Sequence, residues 1–246
     1  MKRVFIIIIV CAFAQGVFAQ DVRIGVKGAF NSTWLFNSNI SDRGESADYE
    51  ASWGSHLGLM FNYYFTDDLG IGIDLLYATH TQNFVGNTFD ASGNGFAYAG
   101  EEVLTYLDIP VLFRITSEGG PYIEIGPQVG LLLGAKEDFF IAHDALNMYE
   151  YKAVDYKKDF NSVNIAAVLG FGYDIKASDN FFINLGLRFG YGLTDATVKL
   201  PEDAFDVEFE HSVFSALAHS NDTESYSYTK TNRAFGGLML GLIYKP

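Results

Sequence analysis

Residues 161–175, NSVNIAAVLGFGYDI, carry the pattern that decides the fold. Every odd position from Val163 to Ile175 is apolar, whereas the even positions are mostly small or polar and include Asn164. A period of two over so long a run predicts a β-strand with one continuous apolar face. Residues 181–191, FFINLGLRFGY, repeat this parity and predict a second strand.

Six further segments show the same alternation, less cleanly at their ends: 22–35, 51–65, 69–83, 102–115, 121–133 and 233–245. Segments of this length suit a tilted span of a bilayer better than an ordinary globular strand. Short and long connections alternate between the eight segments. The short ones are 66–68, 116–120 and 176–179, and the long ones are 36–50, 84–101, 134–160 and 194–232. The sequence therefore predicts an all-β, eight-stranded antiparallel up-and-down transmembrane β-barrel, with periplasmic termini and extracellular long loops.

The main alternative fold is a soluble, lipocalin-like barrel that binds a small ligand. In such a barrel the apolar face points inward and must fill a core. Here the opposite parity is rich in glycine, as at Gly170, Gly172 and Gly186, and would make a poor soluble core. A face with so little volume is typical of the interior of a narrow barrel whose apolar surface meets lipid.

The first residues have the features of an export signal. Lys2 and Arg3 precede an apolar run over 4–14, and Val17-Phe18-Ala19 suits a signal peptidase. We therefore expect a signal peptide over 1–19 and a barrel domain over 20–246, located in the cell outer membrane. Cys11, the one cysteine, lies in this signal, so the mature chain has no thiol for a disulfide, a zinc site or catalysis.

The charge of the chain argues against nucleic acid as a partner. The formal net charge is −14, and all acidic residues lie beyond the expected signal. Outer-membrane lipid is the partner that the apolar face predicts.

Aromatic residues on the apolar parity fall at the two ends of the predicted strands. Such positions are typical of the headgroup level of a membrane, where amphipathic rings settle. The outer belt comprises Trp34, Trp53, Tyr77 and Tyr191, and the inner belt comprises Phe65, Phe113, Tyr173, Phe181 and Tyr244.

Charged residues on the opposite parity predict a balanced network in the lumen. They are Arg23, Lys27, Arg114 and Arg188 against Asp74, Asp108, Glu124 and Asp174. Mutual pairing would limit the cost of burying these ions. Pairing Arg114 with Tyr122 around the 116–120 turn makes Arg114 and Glu124 diagonal neighbours. We expect them to form an ion pair that a double charge reversal would preserve. An interior only wide enough for side chains also argues against a porin.

His56 and His80 share the lumenal parity and are predicted to be diagonal neighbours. They could be a metal-binding or proton-transfer pair, or simply two polar residues of the lumen. Since no Ser, Asp or Glu is tied to them by a recognisable spacing, we assign no catalytic, cofactor or metal site. A barrel enzyme acting on outer-membrane lipid stays open as an alternative. Nearby, Pro110 predicts a local bulge or register pin.

Four segments resemble the PorT-like outer-membrane β-barrel family: VRIGVKGAFNSTW (22–34), YLDIPVLFRI (106–115), YIEIGPQVGLLLG (122–134) and GGLMLGLIY (236–244). The resemblance covers the mature chain. It implies a barrel seated by the outer-membrane assembly machinery, and some members are accessory components of a secretion system. We expect a monomer with a structural, adhesive or secretion-accessory role, whose long loops could contact an extracellular or secretion-system protein.

Overall fold

The computed structural model describes residues 21–89, 95–142, 148–202, 210–220 and 225–246. The expected signal peptide, 1–19, lies outside the described residues. Strands dominate, because the alternating apolar segments leave few positions for helices. The strands are β1 Asp21–Phe36, β2 Asp48–Glu50, β3 Trp53–Tyr64, β4 Leu69–Phe89, β5 Gly95–Thr116, β6 Pro121–Ala142, β7 Met148–Asp155, β8 Val163–Lys176, β9 Phe181–Gly192 and β10 Asn232–Tyr244. Two short α-helices, α1 Ser38–Ser41 and α2 Val213–Ala218, lie in the first and last long loops.

Within the described ranges, eight strands form a closed antiparallel ring in the order β1-β3-β4-β5-β6-β8-β9-β10. The ring closes where β1 pairs with β10, from Ile24 opposite Tyr244 to Phe36 opposite Asn232. Closure leaves no exposed edge within the ring, which a sheet surrounded by lipid requires. The predicted eight-stranded up-and-down barrel is confirmed.

Apolar side chains cover the outside of this ring, and the side chains that point inward are mostly small, polar or charged, with fewer large apolar ones such as Leu112 and Phe235. Leu57, Leu59, Leu238 and Leu240 are each more than half exposed, although they are aliphatic. A soluble core would bury such residues, so the lipocalin-like alternative does not fit. The outward apolar residues run from Val103 to Ile115 on β5 and from 123 to 133 on β6, and we take these as the membrane-spanning segments.

Three strands continue past the membrane-spanning segments, which corrects two predicted loops. Residues 84–89 and 95–101 extend the β4–β5 ladder to the pair Phe89–Gly95, and β6 pairs with the additional strand β7. The sequence pattern missed these extensions because outward residues such as Asn87 and Glu101 are polar once the strands leave the lipid.

The bulge predicted at Pro110 is also wrong. Ile109 and Pro110 have no paired residue on β4, yet the register of the β4–β5 ladder is the same on both sides of them. The shift in the β5–β6 ladder lies instead between Thr105 and Tyr106, toward the end of the barrel that carries the long loops, which we call the outer end and the opposite one the inner end. A proline removes one ladder donor but does not itself insert an extra residue.

The main apolar core lies in the outer part of the barrel, not at its middle. Phe84, Leu104 and Tyr106 from the strands pack with Ile40 of α1 and Phe214 of α2. Phe214 is fully buried, with its ring centroid 5.9 Å from that of Phe84. We call α1 together with residues 211–220 the cap, since these segments occupy the outer mouth of the barrel.

Among the residues that the structure describes, none of the helices has the length and apolar character needed to cross a membrane.

Candidate functional site

Arg188 is the centre of a buried ion network in the inner part of the lumen. Its Nη1 donates to Asp74 Oδ2 at 2.8 Å, and its Nε donates to Glu124 Oε1 at 3.0 Å. Lys27 Nζ reaches the same Asp74 oxygen at 2.9 Å. Strands on different sides of the ring, β1, β4, β6 and β9, supply these four groups, so the network ties the barrel wall together across its interior.

Arg114 belongs to the same network but contacts Asp174 more closely than Glu124. The distances are 2.7 Å from Nη2 to Asp174 Oδ2 and 3.4 Å from Nη1 to Glu124 Oε2. The guanidinium also lies 3.6 Å from the ring centroid of Tyr122. Arg114 pairs directly with Glu124 in the β5–β6 ladder, not with Tyr122 as predicted. The four-residue turn 117–120, with Gly119 and Gly120 at positive φ, sets this register.

These contacts reverse the expected outcome of a double charge reversal. With Arg114→Glu and Glu124→Arg together, the new glutamate would face Asp174 and the new arginine would face Arg188. Like charges at such distances in a buried site are strongly unfavourable. We expect the double variant to fold no better than either single variant, as measured by the heat-modifiable fraction on cold gels. Recovery to the wild-type fraction would show that Arg114 and Glu124 act as an isolated pair.

Arg23 lies at the inner rim, where it is partly accessible. It binds Asp21 at 2.8 Å and lies 3.5 Å from Asp174. The structure therefore brings seven of the eight predicted lumenal residues into one connected set: Arg23, Lys27, Asp74, Arg114, Glu124, Asp174 and Arg188.

Asp108, the eighth predicted residue, lies in a separate cluster further out along β5. Arg233 Nη2 donates to Asp108 Oδ1 at 2.9 Å. Arg233 was not among the predicted lumenal residues, although its parity on β10 points it inward. Gly130 leaves room for this pair, because a Cβ there would stand 2.6 Å from Asp108 Oδ1 and 2.9 Å from Arg233 Nη2.

His56 and His80 complete the Asp108 cluster. Their Nε2 atoms lie 3.4 Å apart, and Asp108 Oδ2 lies 3.6 Å from that of His80 and 4.0 Å from that of His56. The ring of Phe235 packs edge-on against both imidazoles, and Tyr106 packs against His80. The two histidines are neighbours as predicted, but no spacing in the sequence tied Asp108 to them.

A third polar cluster holds the cap against the strands, beyond the outer end of the membrane-spanning segments. Glu137 on β6 accepts the backbone N–H groups of Val213 and Phe214, both at 3.0 Å. Amides in the first turn of a helix, such as these two of α2, have no acceptor within the helix and need one elsewhere when the helix end is buried. Asp159 accepts from Ser212 N at 2.7 Å and contacts His211 Nδ1 at 2.8 Å.

Two of the three histidines in the predicted long loops contact other groups of the protein. His219 is fully buried, with Nδ1 2.8 Å from Ser215 O, and His211 contacts Asp159. His143 lies outside the described residues. The cap was missed because packing of a loop against a barrel mouth leaves no periodic signal in the sequence.

Burial also shifts two carboxyl groups at the base of the cap. Removal from water raises the pKa of Glu137 from 4.5 to about 7, and it raises the pKa of Glu102 on β5 well above its ordinary value. The neighbouring charge of Glu137 adds to the rise at Glu102. The folded state therefore favours the protonated forms of both groups.

The cap is expected to loosen as the pH rises. A carboxyl whose pKa is raised on folding contributes stability that is complete below pH 4.5 and is lost as pH rises through about 7. For Glu137 this is on the order of 3 kcal/mol. The rate of hydrogen exchange of the α2 amides should therefore rise from pH 5 to pH 8 by more than the rise that the same amides would show in an unfolded chain.

Glu102→Gln should flatten that pH dependence, and Glu101→Gln on the exposed face of the same strand is the matched control. Protection of α2 that is independent of pH in the wild type would contradict the expected coupling.

The predicted aromatic belts lie on the outer surface of the barrel. Eight of the nine residues are exposed there: Trp53, Phe65, Tyr77, Phe113, Tyr173, Phe181, Tyr191 and Tyr244. Trp34 is partly buried and stacks on Phe36, with ring centroids 5.7 Å apart. The inner-belt rings of Phe181 and Tyr244 also contact each other, at 5.2 Å.

Comparison with known proteins places this architecture among bacterial envelope barrels. The family model described as "Outer membrane protein beta-barrel domain" matches residues 13–198. No curated protein matches the sequence.

Solved structures with a similar trace include the Neisserial surface protein A (NspA), which is 11% identical, with 92% of this chain and 97% of that chain covered and a TM-score of 0.39. OprG from Pseudomonas aeruginosa is 14% identical, with 94% and 98% covered and a TM-score of 0.38. Ail of Yersinia pestis is 9% identical, with 92% and 99% covered and a TM-score of 0.36.

Proposed function

Because the chain belongs to the outer membrane protein beta-barrel domain family, we propose that it is a closed outer-membrane barrel whose function lies in its outer loops and not in transport through its interior. The observation that carries this proposal is the cap. Phe214 and Ile40 fill the outer mouth and are fully buried there. An open pore would leave these residues in contact with water.

The interior below the cap supports the same conclusion. We propose that charged side chains line the lumen. The main side chains of the Arg188 network are at most a few per cent exposed. An eight-stranded ring leaves space for side chains and little else. General diffusion of solutes would require breaking several buried ion pairs at once, so a porin function is disfavoured.

Hydrogen bonds join the first and last long loops around the cap and hold these loops in a defined shape. Asn37 Nδ2 donates to Thr229 O and to Thr231 Oγ1, both at 3.0 Å. Asn39 Nδ2 donates to Ala218 O at 2.8 Å. Loops fixed to each other in this way can present a defined surface to a partner, because little ordering entropy is lost on binding.

We therefore propose a structural, adhesive or secretion-accessory role, with the short turns and both termini in the periplasm and the loops outside the cell. The partner would be an extracellular or secretion-system protein, and the barrel itself would be a monomer seated by the outer-membrane assembly machinery. The YLDIPVLFRI segment (106–115) supports the narrower proposal of a PorT-like protein.

The alternative of a barrel enzyme acting on lipid loses support from the position of the histidines. His56 and His80 are 3% and 1% exposed and lie below the cap. A lipid substrate would have to reach them through the barrel wall or past the cap. Hydrolysis of a membrane lipid would instead need the nucleophile and its base within reach of that lipid.

Surface labelling on intact cells tests the proposed orientation. One epitope tag is inserted between Pro201 and Glu202, both exposed in the last long loop, and a matched tag between Glu118 and Gly119 in a short turn. We expect antibody to label only the first tag on intact cells and both after permeabilisation. The reverse result would overturn the orientation. Crosslinking through the first tag then captures any protein partner.

A further inference from the structure

Three groups of the Asp108 cluster, the imidazoles of His56 and His80 and the carboxylate of Asp108, are spaced as the ligands of one metal ion. The separations are 3.4 Å between the two Nε2 atoms and 3.6 and 4.0 Å from these to Asp108 Oδ2. A triangle with these sides has a centre roughly 2.1 Å from each corner, which is the length of a zinc bond to an imidazole nitrogen or a carboxylate oxygen. The three side chains are buried and lie within reach of one ion.

Hydrogen bonding alone accounts poorly for this arrangement. The distances from Asp108 Oδ2 to the imidazoles exceed those of normal hydrogen bonds, and 3.4 Å is long even for the contact between the two rings. Among the described residues, Asp108 Oδ2 and His80 Nδ1 are buried without a hydrogen-bond partner. A buried carboxylate oxygen that is left unsatisfied and aimed at two imidazole nitrogens costs free energy, unless a further group binds between them.

The surrounding residues fix the geometry of the three donors. Arg233 holds the other oxygen of Asp108, so the free oxygen points toward the histidines. Ala78 lies directly across the ladders from His56 and from Tyr106, and its small side chain leaves the space in which the two imidazoles meet. Phe235 packs against both rings. A metal site requires ligand side chains that are held in place by their neighbours, as these three are.

We propose that His56 Nε2, His80 Nε2 and Asp108 Oδ2 bind one divalent transition-metal ion of the zinc type, which joins β3, β4 and β5 inside the lumen. Two imidazoles and one carboxylate suit zinc and its neighbours, whereas calcium and magnesium prefer oxygen ligands alone. A water or small anion would occupy a fourth position. Since the site lies beneath the cap, the ion enters as the barrel folds and serves a structural role.

Refolding with the metal alone tests this proposal. The full chain is unfolded in urea with a chelator, refolded in detergent with or without Zn²⁺, freed of loose metal and assayed for bound zinc. We expect one zinc per folded barrel and a higher temperature for the loss of heat-modifiable mobility. In His80→Asn and Asp108→Asn, the affinity should fall by about 100-fold or more, beyond the effect of removing an outer-shell partner. Tyr106→Phe, which changes a neighbour and no ligand, should keep the zinc.

Co²⁺ as a probe keeps the test independent of how well the variants fold. We expect the wild-type barrel to give the intense visible bands of four-coordinate Co²⁺ with mixed nitrogen and oxygen ligands, and Zn²⁺ to remove them. Folded wild-type barrel with no stoichiometric zinc and no such bands would overturn the proposal. So would zinc binding that is unchanged in a folded His56→Asn, His80→Asn double variant.

Discussion

Arg188→Met is expected to destabilise the folded barrel by about 3–5 kcal/mol, the cost of leaving buried charges without their partner. Arg188 donates to both Asp74 and Glu124, and all three side chains are buried. Lys27 would remain as a partner for Asp74, but Glu124 would keep only its 3.4 Å contact with Arg114. The methionine fills similar space, so the loss would come from charge and not from a cavity.

The measurement is the free energy of unfolding in urea, in detergent or lipid vesicles. Lys176→Met is the matched control, because Lys176 forms an ion pair with Asp179 at 2.9 Å while both side chains are exposed. That control should cost less than about 1 kcal/mol. A loss for Arg188→Met as small as that of the control would show that the lumenal network contributes little to the fold.

Leu240→Arg should cost about 2–4 kcal/mol when the barrel is in lipid, the penalty for an arginine at the bilayer midplane on the outer face of a barrel. Leu240 lies near the middle of β10, opposite Gly28 and Leu185, and is 58% exposed. In a soluble protein, a substitution at so exposed a position would usually change stability by no more than about 0.5 kcal/mol.

Depth along the barrel provides the control for this second prediction. Leu193 is 55% exposed and follows the outer end of β9. Leu193→Arg should cost only about 0–1 kcal/mol, because the penalty falls toward the interface. Equal losses of unfolding free energy at the two positions would show that the penalty for arginine does not depend on depth, which would contradict a lipid-facing exterior.

The strands could be predicted because lipid and lumen impose opposite requirements on alternate residues. That constraint holds only where a strand crosses the membrane. It therefore located Phe171 and Leu185 on the outer face and Asn184 on the inner one, but it lost β4, β5 and β6 beyond their lipid-facing segments. Past Val103, outward polar residues such as Glu101 look like loop residues, although the ladder continues.

The sequence also predicted in part which residues line the lumen, but for most of these residues it did not predict which ones contact each other. Parity alone places Arg114 and Asp108 inside the barrel. Which groups they meet depends on register around the ring, and an eight-stranded ring brings residues from strands far apart in sequence into contact. Asp108 meets Arg233, which is 125 residues away, and Arg188 meets Asp74, 114 residues away.

A closed interior is the central claim, and single-channel recording in planar lipid bilayers tests it most directly. The refolded full chain is inserted, and insertion is checked by heat-modifiable mobility of the reconstituted protein. A known porin in the same lipid is the positive control. The buried cap and the Arg188 network predict no stable current steps above the bare bilayer at pH 5, where the carboxyl groups beneath the cap favour their protonated forms. Regular ohmic steps from the wild-type barrel at that pH would contradict a closed interior.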